Sequence, residues 1–238
     1  MNEMEYTLLT PAPTATRPLL GLTILVVEDS RFACDAMRLL CLRSGARIRR
    51  ADCLKSARRH LQVYRPSVVI IDLGLPDGSG ADLIHELSQV EPRISAILAI
   101  SGDDMNEAIA LAAGADKFIA KPLASLSEFQ SAVLTALPEE LRPAGLRKIT
   151  DEEVEPDPMA YRDDMAHAAE MLTVDADMKT LDYVAQFLQG VAKSAKDDQL
   201  ARAAGRLARA RAEGGTIHSY QARLAGLVRE RVTEQIAI

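Results

Sequence analysis

The feature of this sequence that most limits its fold is a regular alternation of apolar runs with amphipathic stretches between residues 21 and 138. Several runs are nearly continuous in aliphatic and β-branched residues, as strands buried on both faces must be. The runs are 22–27, 67–72, 94–101 and 116–120, with a weaker one at 46–51. Strands that alternate with helices form βαβ units, a parallel sheet and right-handed crossovers. The segment therefore predicts one α/β domain.

Helical patterns separate these predicted strands. They cover roughly residues 31–43, 53–63, 80–89, 105–113 and 125–137. Five strands and five helices between residues 21 and 138 fit one domain of ordinary size. Residues 1–20 precede this domain, and their prolines among small polar residues predict a flexible N-terminal tail.

The chain changes character after residue 138. Residues 139–158 are rich in proline and charge, which predicts a linker. From 159 to 238 strand patterns are absent, and apolar residues recur at alternating intervals of three and four, the spacing of one helix face. The clearest stripe contains Leu181, Val184, Leu188, Val191 and Ala195. This segment predicts a small all-α helical bundle, with a further helix near 160–172, acting as an output or dimerisation domain.

The amino-acid composition argues against several classes of protein. Hydrophobic residues make up 48% and charged residues 26%, which is typical of a globular protein. The net charge of −6 argues against general attraction to nucleic acid, and the absence of Trp argues against a base-stacking surface. The sequence lacks both a membrane-spanning apolar run and a signal-peptide pattern. A cytoplasmic protein without a membrane partner is the expectation.

Three carboxylates stand where predicted strands end. Glu28 and Asp29 close the first strand, and Asp72 closes the third. Ligands of doubly wound sheets gather at this edge, and three adjacent acids with hard oxygen atoms suit Mg²⁺. Each acid taken alone is better explained as a solvated strand end or a helix cap.

Two further groups are predicted at the same edge. Ser101 ends the fourth strand with a hydroxyl, and Lys121 ends the fifth directly before Pro122. A cis bond before Pro122 would aim the ammonium towards the acids. Carboxylates, hydroxyl and cation together predict a site for a metal ion and a phosphoryl group, with Asp72 as nucleophile.

Residues 22–137 resemble the receiver domain of two-component response regulators. The resemblance rests on LTILVVEDS, VVIIDLGLPDGSG, ILAISG and DKFIAKP, in this order and at the matching spacing. It implies a flavodoxin-like, doubly wound, five-stranded parallel sheet with strand order 2-1-3-4-5.

The resemblance also implies a reaction and its residues. Asp72 would take a phosphoryl group from a histidine kinase or a histidine phosphotransfer protein. Glu28, Asp29, Asp72 and the backbone carbonyl of Gly74 would hold Mg²⁺. The receiver would catalyse its own phosphorylation and dephosphorylation and would not be an enzyme acting on a separate substrate.

The resemblance gives three side chains a response to the bound phosphoryl group. Ser101 would hydrogen-bond one phosphoryl oxygen, and Lys121 would pair with another. Phe118 would be the aromatic switch residue whose ring turns inward, although an ordinary core aromatic explains it equally well. Two positions near the phosphoacceptor depart from the family. Gly74, two residues after Asp72, has no side chain, and Asp103, two residues after Ser101, carries a negative charge.

The output remains open between several hypotheses. The leading one is a helical protein-interaction or dimerisation module, through which the chain forms a homodimer. A DNA-binding effector is the first alternative, because segment 193–211 is basic. A phosphate shuttle or sink is the second. The bundle also resembles a phosphotransfer or kinase-dimerisation fold that lacks its histidine, since neither His167 nor His218 stands in such a motif.

Overall fold

A computed structural model describes residues 12–143, 148–150, 152–173 and 175–233. The first eleven residues of the predicted N-terminal tail lie outside this description. Its last residues are already part of the domain, because Leu19 is fully buried and its N–H donates to the carbonyl of Ser44 at 2.9 Å. Ordered packing therefore begins before residue 21, ahead of the predicted boundary.

A five-stranded parallel sheet forms the centre of the first domain. Its strands are β1 (Thr23–Val27), β2 (Arg47–Ala51), β3 (Val68–Asp72), β4 (Ala96–Ser101) and β5 (Lys117–Ala120). They lie in the order β2-β1-β3-β4-β5, which confirms the predicted flavodoxin-like topology. A two-residue antiparallel ladder, Gly74–Leu75 with Gly78–Ser79, follows β3.

Five helices connect these strands and cover both faces of the sheet. They are α1 (Arg31–Ser44), α2 (Leu54–Val63), α3 (Gly80–Ser88), α4 (Glu107–Ala113) and α5 (Leu126–Ala136). Helices α1 and α5 pack on one face around Phe129, and α2 to α4 pack on the other around Ile84. All five predicted helices are confirmed. The helix before β5 is preceded by a single 3₁₀ turn, Asp104–Asn106.

The burial of each strand follows its place in the sheet. Every residue of β3 and β4 is buried, in agreement with their unbroken apolar sequence. Strand β2 lies at one edge, with Arg47, Arg49 and Arg50 exposed. Charged residues on an edge strand discourage pairing with a second sheet. Its basic character therefore has a structural explanation.

In the described part of the chain beyond residue 157, four helices form the C-terminal bundle. They are α6 (Pro158–Met171), α7 (Met178–Ser194), α8 (Asp198–Ala212) and α9 (His218–Thr233). The predicted stripe lies in the bundle core from Leu181 to Val191, with Val184 and Leu188 fully buried, whereas Ala195 follows the end of α7 and is half-buried. Asp197 caps α8 by accepting a hydrogen bond from the N–H of Leu200 at 3.0 Å. Among the described residues, no helix combines the length and the apolar character needed to cross a membrane.

The segment between the two domains is attached to the first of them. Val154 is buried in the core around Phe129, and its N–H donates to the carbonyl of Ala124 at 2.9 Å. Residues 144–147 and 151 of the predicted linker lie outside the description. The described part from 152 to 157 therefore packs against the first domain and fixes the point at which α6 begins.

Phe129 provides a test of this core. Its ring is fully buried between α5, α1 and the sheet. We expect Phe129→Ala to lower the free energy of unfolding by about 3–5 kcal/mol, because the cavity it leaves cannot close completely. Urea unfolding followed by circular dichroism measures this change. Val63→Ala is the control, since Val63 is 84% exposed and its truncation should change stability little; equal losses in both variants would contradict the assigned core.

Candidate functional site

The three predicted carboxylates converge at the carboxyl end of the sheet. Glu28 and Asp29 follow β1, and Asp72 is the last residue of β3, which is the neighbour of β1. One carboxylate oxygen from each of the three lies within 4.8 Å of the others. The parallel pairing of β1 with β3 is the reason, because it ends both strands at the same level.

Lys121 provides the positive charge of the site. Its buried ammonium Nζ lies 2.6 Å from Glu28 Oε2 and 3.3 Å from Asp72 Oδ1. The Lys121–Pro122 peptide bond is cis, as predicted. The lysine therefore forms a buried ion pair with two of the three acids.

Burial and charge determine the protonation of this cluster. Burial raises the pKa of the Asp72 carboxyl to about 7, opposed by Lys121 and reinforced by Glu28. Burial and the neighbouring Glu28 and Asp72 also raise the pKa of Asp29 well above its usual range. Burial opposes the charged form of Lys121, yet the charges of Asp72 and Glu28 raise its pKa overall. One ammonium thus faces three carboxyl groups, and negative charge is in excess whenever all three are ionised.

The residues present fit a divalent cation. Glu28 Oε2 is buried and accepts no well-formed hydrogen bond from the described residues, although the Lys121 ammonium is close. The donor set consists of hard carboxylate oxygens, which Mg²⁺ prefers. Glu28, Asp29 and Asp72 would hold the ion, and its charge would offset the excess of acids.

The remaining predicted residues surround this cluster. Ser101 is buried, and its Oγ accepts hydrogen bonds from the Asp103 N–H and Asn106 Nδ2, both at 3.1 Å. Gly74 is also buried, and its N–H donates to Asp72 Oδ2 at 3.3 Å. Phe118 lies further away, half-buried against the core around Ile84. The predicted site residues other than Phe118 therefore lie at the same end of the sheet as Asp72.

Helix α7 of the bundle also contributes to the site, which the sequence analysis missed. The hydroxyl of Tyr183 donates to Asp29 Oδ2 at 2.5 Å. Phe187 and Gly190 line the same small cavity as Asp72 and Ser101. Positions 183, 187 and 190 have helical spacing beside the apolar stripe of α7. The signal was therefore present, but nothing in it indicated which surface this second face would contact.

A second contact joins the bundle to the first turn of α1. The buried carboxylate of Asp164, on α6, accepts from Ser30 Oγ at 2.7 Å, the Arg31 N–H at 2.8 Å and the Phe32 N–H at 3.1 Å. Free N–H groups at a helix N-terminus favour a carboxylate. Helix α1 is thus capped by a residue more than 130 positions away along the chain.

Comparison with known proteins agrees with this geometry. Residues 24–133 match the family model of the response regulator receiver domain. The chain is 31% identical to the KDP operon transcriptional regulatory protein KdpE of Escherichia coli over 114 residues, which cover 48% of this chain and 50% of that protein. It is 34% identical to the probable transcriptional regulatory protein TcrX of Mycobacterium tuberculosis over 101 residues, 42% of this chain and 43% of that one.

Solved structures resemble the same half of the chain. A putative response regulator from Chloroflexus aurantiacus matches with a TM-score of 0.45 and 26% identity, over 47% of this chain and 93% of that one. The chain spans about half the length of the curated relatives it matches. Residues 24–133 form a domain of the response regulator receiver family; receiver domains bind Mg²⁺ at an acidic site, and Glu28, Asp29 and Asp72 form such a cluster here. The family match ends before the helical bundle.

Tyr183 gives a test of the metal site. Its hydroxyl donates to Asp29 Oδ2, and this hydrogen bond draws electron density from a carboxylate that would hold Mg²⁺. We expect Tyr183→Phe to strengthen Mg²⁺ binding by about two- to tenfold, because a typical hydrogen bond contributes about 0.5–1.5 kcal/mol. Isothermal titration calorimetry on the full chain measures the affinity. Tyr220→Phe, on the exposed side of α9, is the control and should leave it unchanged; weaker binding in Tyr183→Phe would contradict the assignment.

Proposed function

We propose that the chain is a response regulator in which Asp72 accepts a phosphoryl group from a phosphohistidine of a histidine kinase or a phosphotransfer protein. An Asp72 oxygen would attack phosphorus as the bond from phosphorus to the imidazole nitrogen breaks. The observation that carries this proposal is the position of Asp72, which is fixed at a strand end between two acids and a buried ammonium. Such a carboxylate is oriented and charge-compensated for phosphoryl transfer.

The neighbouring side chains have distinct parts in this reaction. Lys121 balances charge on the phosphoryl oxygens, and the Ser101 hydroxyl turns from its present partners to donate to one of them. Glu28, Asp29, Asp72 and the Gly74 carbonyl would hold Mg²⁺, which when bound would supply further charge neutralisation. The receiver catalyses this transfer and the later hydrolysis on itself, without a separate substrate.

We propose that the helical bundle is the output and that it interacts with a protein partner or with a second copy of the chain. Phosphorylation would shift an existing equilibrium between two states of the molecule. Converting a 1:99 population to 99:1 requires about 5.5 kcal/mol of differential stabilisation, so a partial shift is the expectation.

The phosphoacceptor is tested by labelling the full chain with phosphoramidate and Mg²⁺. We expect intact-mass spectrometry to show one added phosphoryl group, and Asp72→Asn to abolish it because an amide is a poor nucleophile. Asp82→Asn is the matched control, since Asp82 is an exposed acid on α3, outside the carboxylate cluster. Retention of the added mass in Asp72→Asn would refute the assignment. Light scattering of the same samples shows whether association changes with phosphorylation.

A DNA-binding output is a second candidate, favoured by one feature of the bundle. Arg202, Arg206 and Arg223 line an open groove between α8 and α9, and guanidinium groups can bind a phosphate backbone. KdpE and TcrX are named as transcriptional regulatory proteins, although the match lies in the receiver half.

A mobility-shift assay separates the two candidates. With the protein-interaction output, we expect no shift of duplex DNA by the phosphorylated full chain at low salt. A shift that weakens with salt and is lost in Arg202→Ala/Arg206→Ala would establish the DNA-binding output instead. Arg58→Ala is the control, because this exposed arginine lies on α2 of the receiver and pairs with Glu86.

A further inference from the structure

One face of helix α7 contacts three loops of the receiver, and each of them carries residues of the phosphoacceptor site. This docking face consists of Tyr183, Gln186, Phe187 and Gly190. Tyr183 binds Asp29 in the loop after β1, Gln186 lies against Gly74 after β3, and Gly190 lies against Gly102 after β4. These loops meet around Asp72, so the docking face covers the phosphoacceptor.

Two receiver glycines make room for this helix. A Cβ atom on Gly74 would lie 2.5 Å from Cδ and Nε2 of Gln186. A Cβ atom on Gly102 would lie 2.9 Å from the Cα of Gly190. Contacts this short are not tolerated, so a side chain at either glycine would displace the helix or its side chains. The receiver loops and the docking face fit together because the loops carry glycine, which has no side chain, at positions 74 and 102.

The space left above Asp72 is too small for the reaction. The cavity between the docking face and the receiver has a volume of about 20 Å³, with Phe187 and Gly190 on one side and Asp72, Ser101 and Lys121 on the other. A cavity of this size holds about one water molecule. A phosphoryl group does not fit, and the imidazole of a phosphodonor must also lie opposite the attacking oxygen.

We propose that helix α7 is a competitor, within the same chain, for the surface that a phosphodonor must use. The inference rests on the proposed function of Asp72. In the docked state, the docking face excludes both the phosphoryl group and its donor. Phosphorylation therefore requires α7 to leave, and a phosphorylated Asp72 keeps it away.

The competition has a consequence for the output. Two occupants that exclude each other are linked, so each lowers the apparent affinity of the other by the same factor. Undocking also uncovers Tyr183 and the side of Phe187 that lines the cavity, while the rest of Phe187 stays packed in the bundle core. The face that binds the receiver in the resting chain is then free for a partner, which joins phosphoryl transfer to the output of the bundle.

The test compares two glycines on neighbouring helices of the full chain. A Cβ on Gly190 would lie 3.5 Å from Lys121 Nζ, so the longer side chain of Gly190→Leu would collide with the receiver. Gly205→Leu on α8 is the matched control, since no described atom lies within 4 Å of a Cβ built there. Both changes favour the helix by a similar amount. Asp164→Ala, which removes the cap on α1, is a second undocking variant.

Two measurements are made on each variant. The rate of mass gain with phosphoramidate and Mg²⁺ reports access to Asp72, and hydrogen exchange over residues 178–194 reports docking of α7. We expect Gly190→Leu and Asp164→Ala to gain mass at least about fivefold faster than the unchanged chain and Gly205→Leu. We also expect phosphorylation of the unchanged chain to increase exchange in α7.

The outcomes separate the two proposals. Equal or lower rates in both undocking variants, or unchanged exchange in α7 after phosphorylation, would overturn the competition while leaving Asp72 as the phosphoacceptor. If no variant gained mass, the proposed function itself would fail. Circular dichroism confirms that each variant retains its helices, so that a faster rate is not caused by unfolding of the bundle.

Discussion

The buried pairing of Lys121 with Glu28 and Asp72 is the interaction on which the site depends. Burying carboxylates is costly unless they are paired, and the lysine compensates two of the three acids by direct contact. The third, Asp29, instead takes a hydrogen bond from Tyr183. The excess negative charge explains both why the site fits a divalent cation and why a hydroxyl donor from another domain docks on it.

The parallel sheet places this chemistry at the surface that also joins the two domains. Strands β1, β3, β4 and β5 all end at the same edge, so their loops carry the acids, the hydroxyl and the ammonium. Helix α1 begins at this edge as well, where Asp164 caps it. The bundle therefore contacts the receiver at the end of the sheet that carries the acids.

The sequence predicted the receiver well because its signals are local. Unbroken apolar runs identified β3 and β4, and acids at strand ends identified the site once β1 and β3 were taken as neighbours. The contacts between the domains could not be predicted in the same way. Tyr183 and Asp164 are separated from their partners by more than 130 residues, and their polar side chains add nothing to a hydrophobic period. Leu19 was missed because prolines around it resemble those of a loose tail.

The N-terminus of helix α1 depends on a residue of the bundle for its hydrogen bonds. It has no acid of its own in its first turn, and Ser30 satisfies one N–H group, that of Ala33. The groups of Arg31 and Phe32 are satisfied by Asp164. A receiver excised at residue 138 would begin α1 with two amide groups returned to water. The excised domain and the intact chain therefore differ in the hydrogen bonding of the helix that starts beside the acids. A property measured at these acids in the excised domain need not equal that of the intact chain.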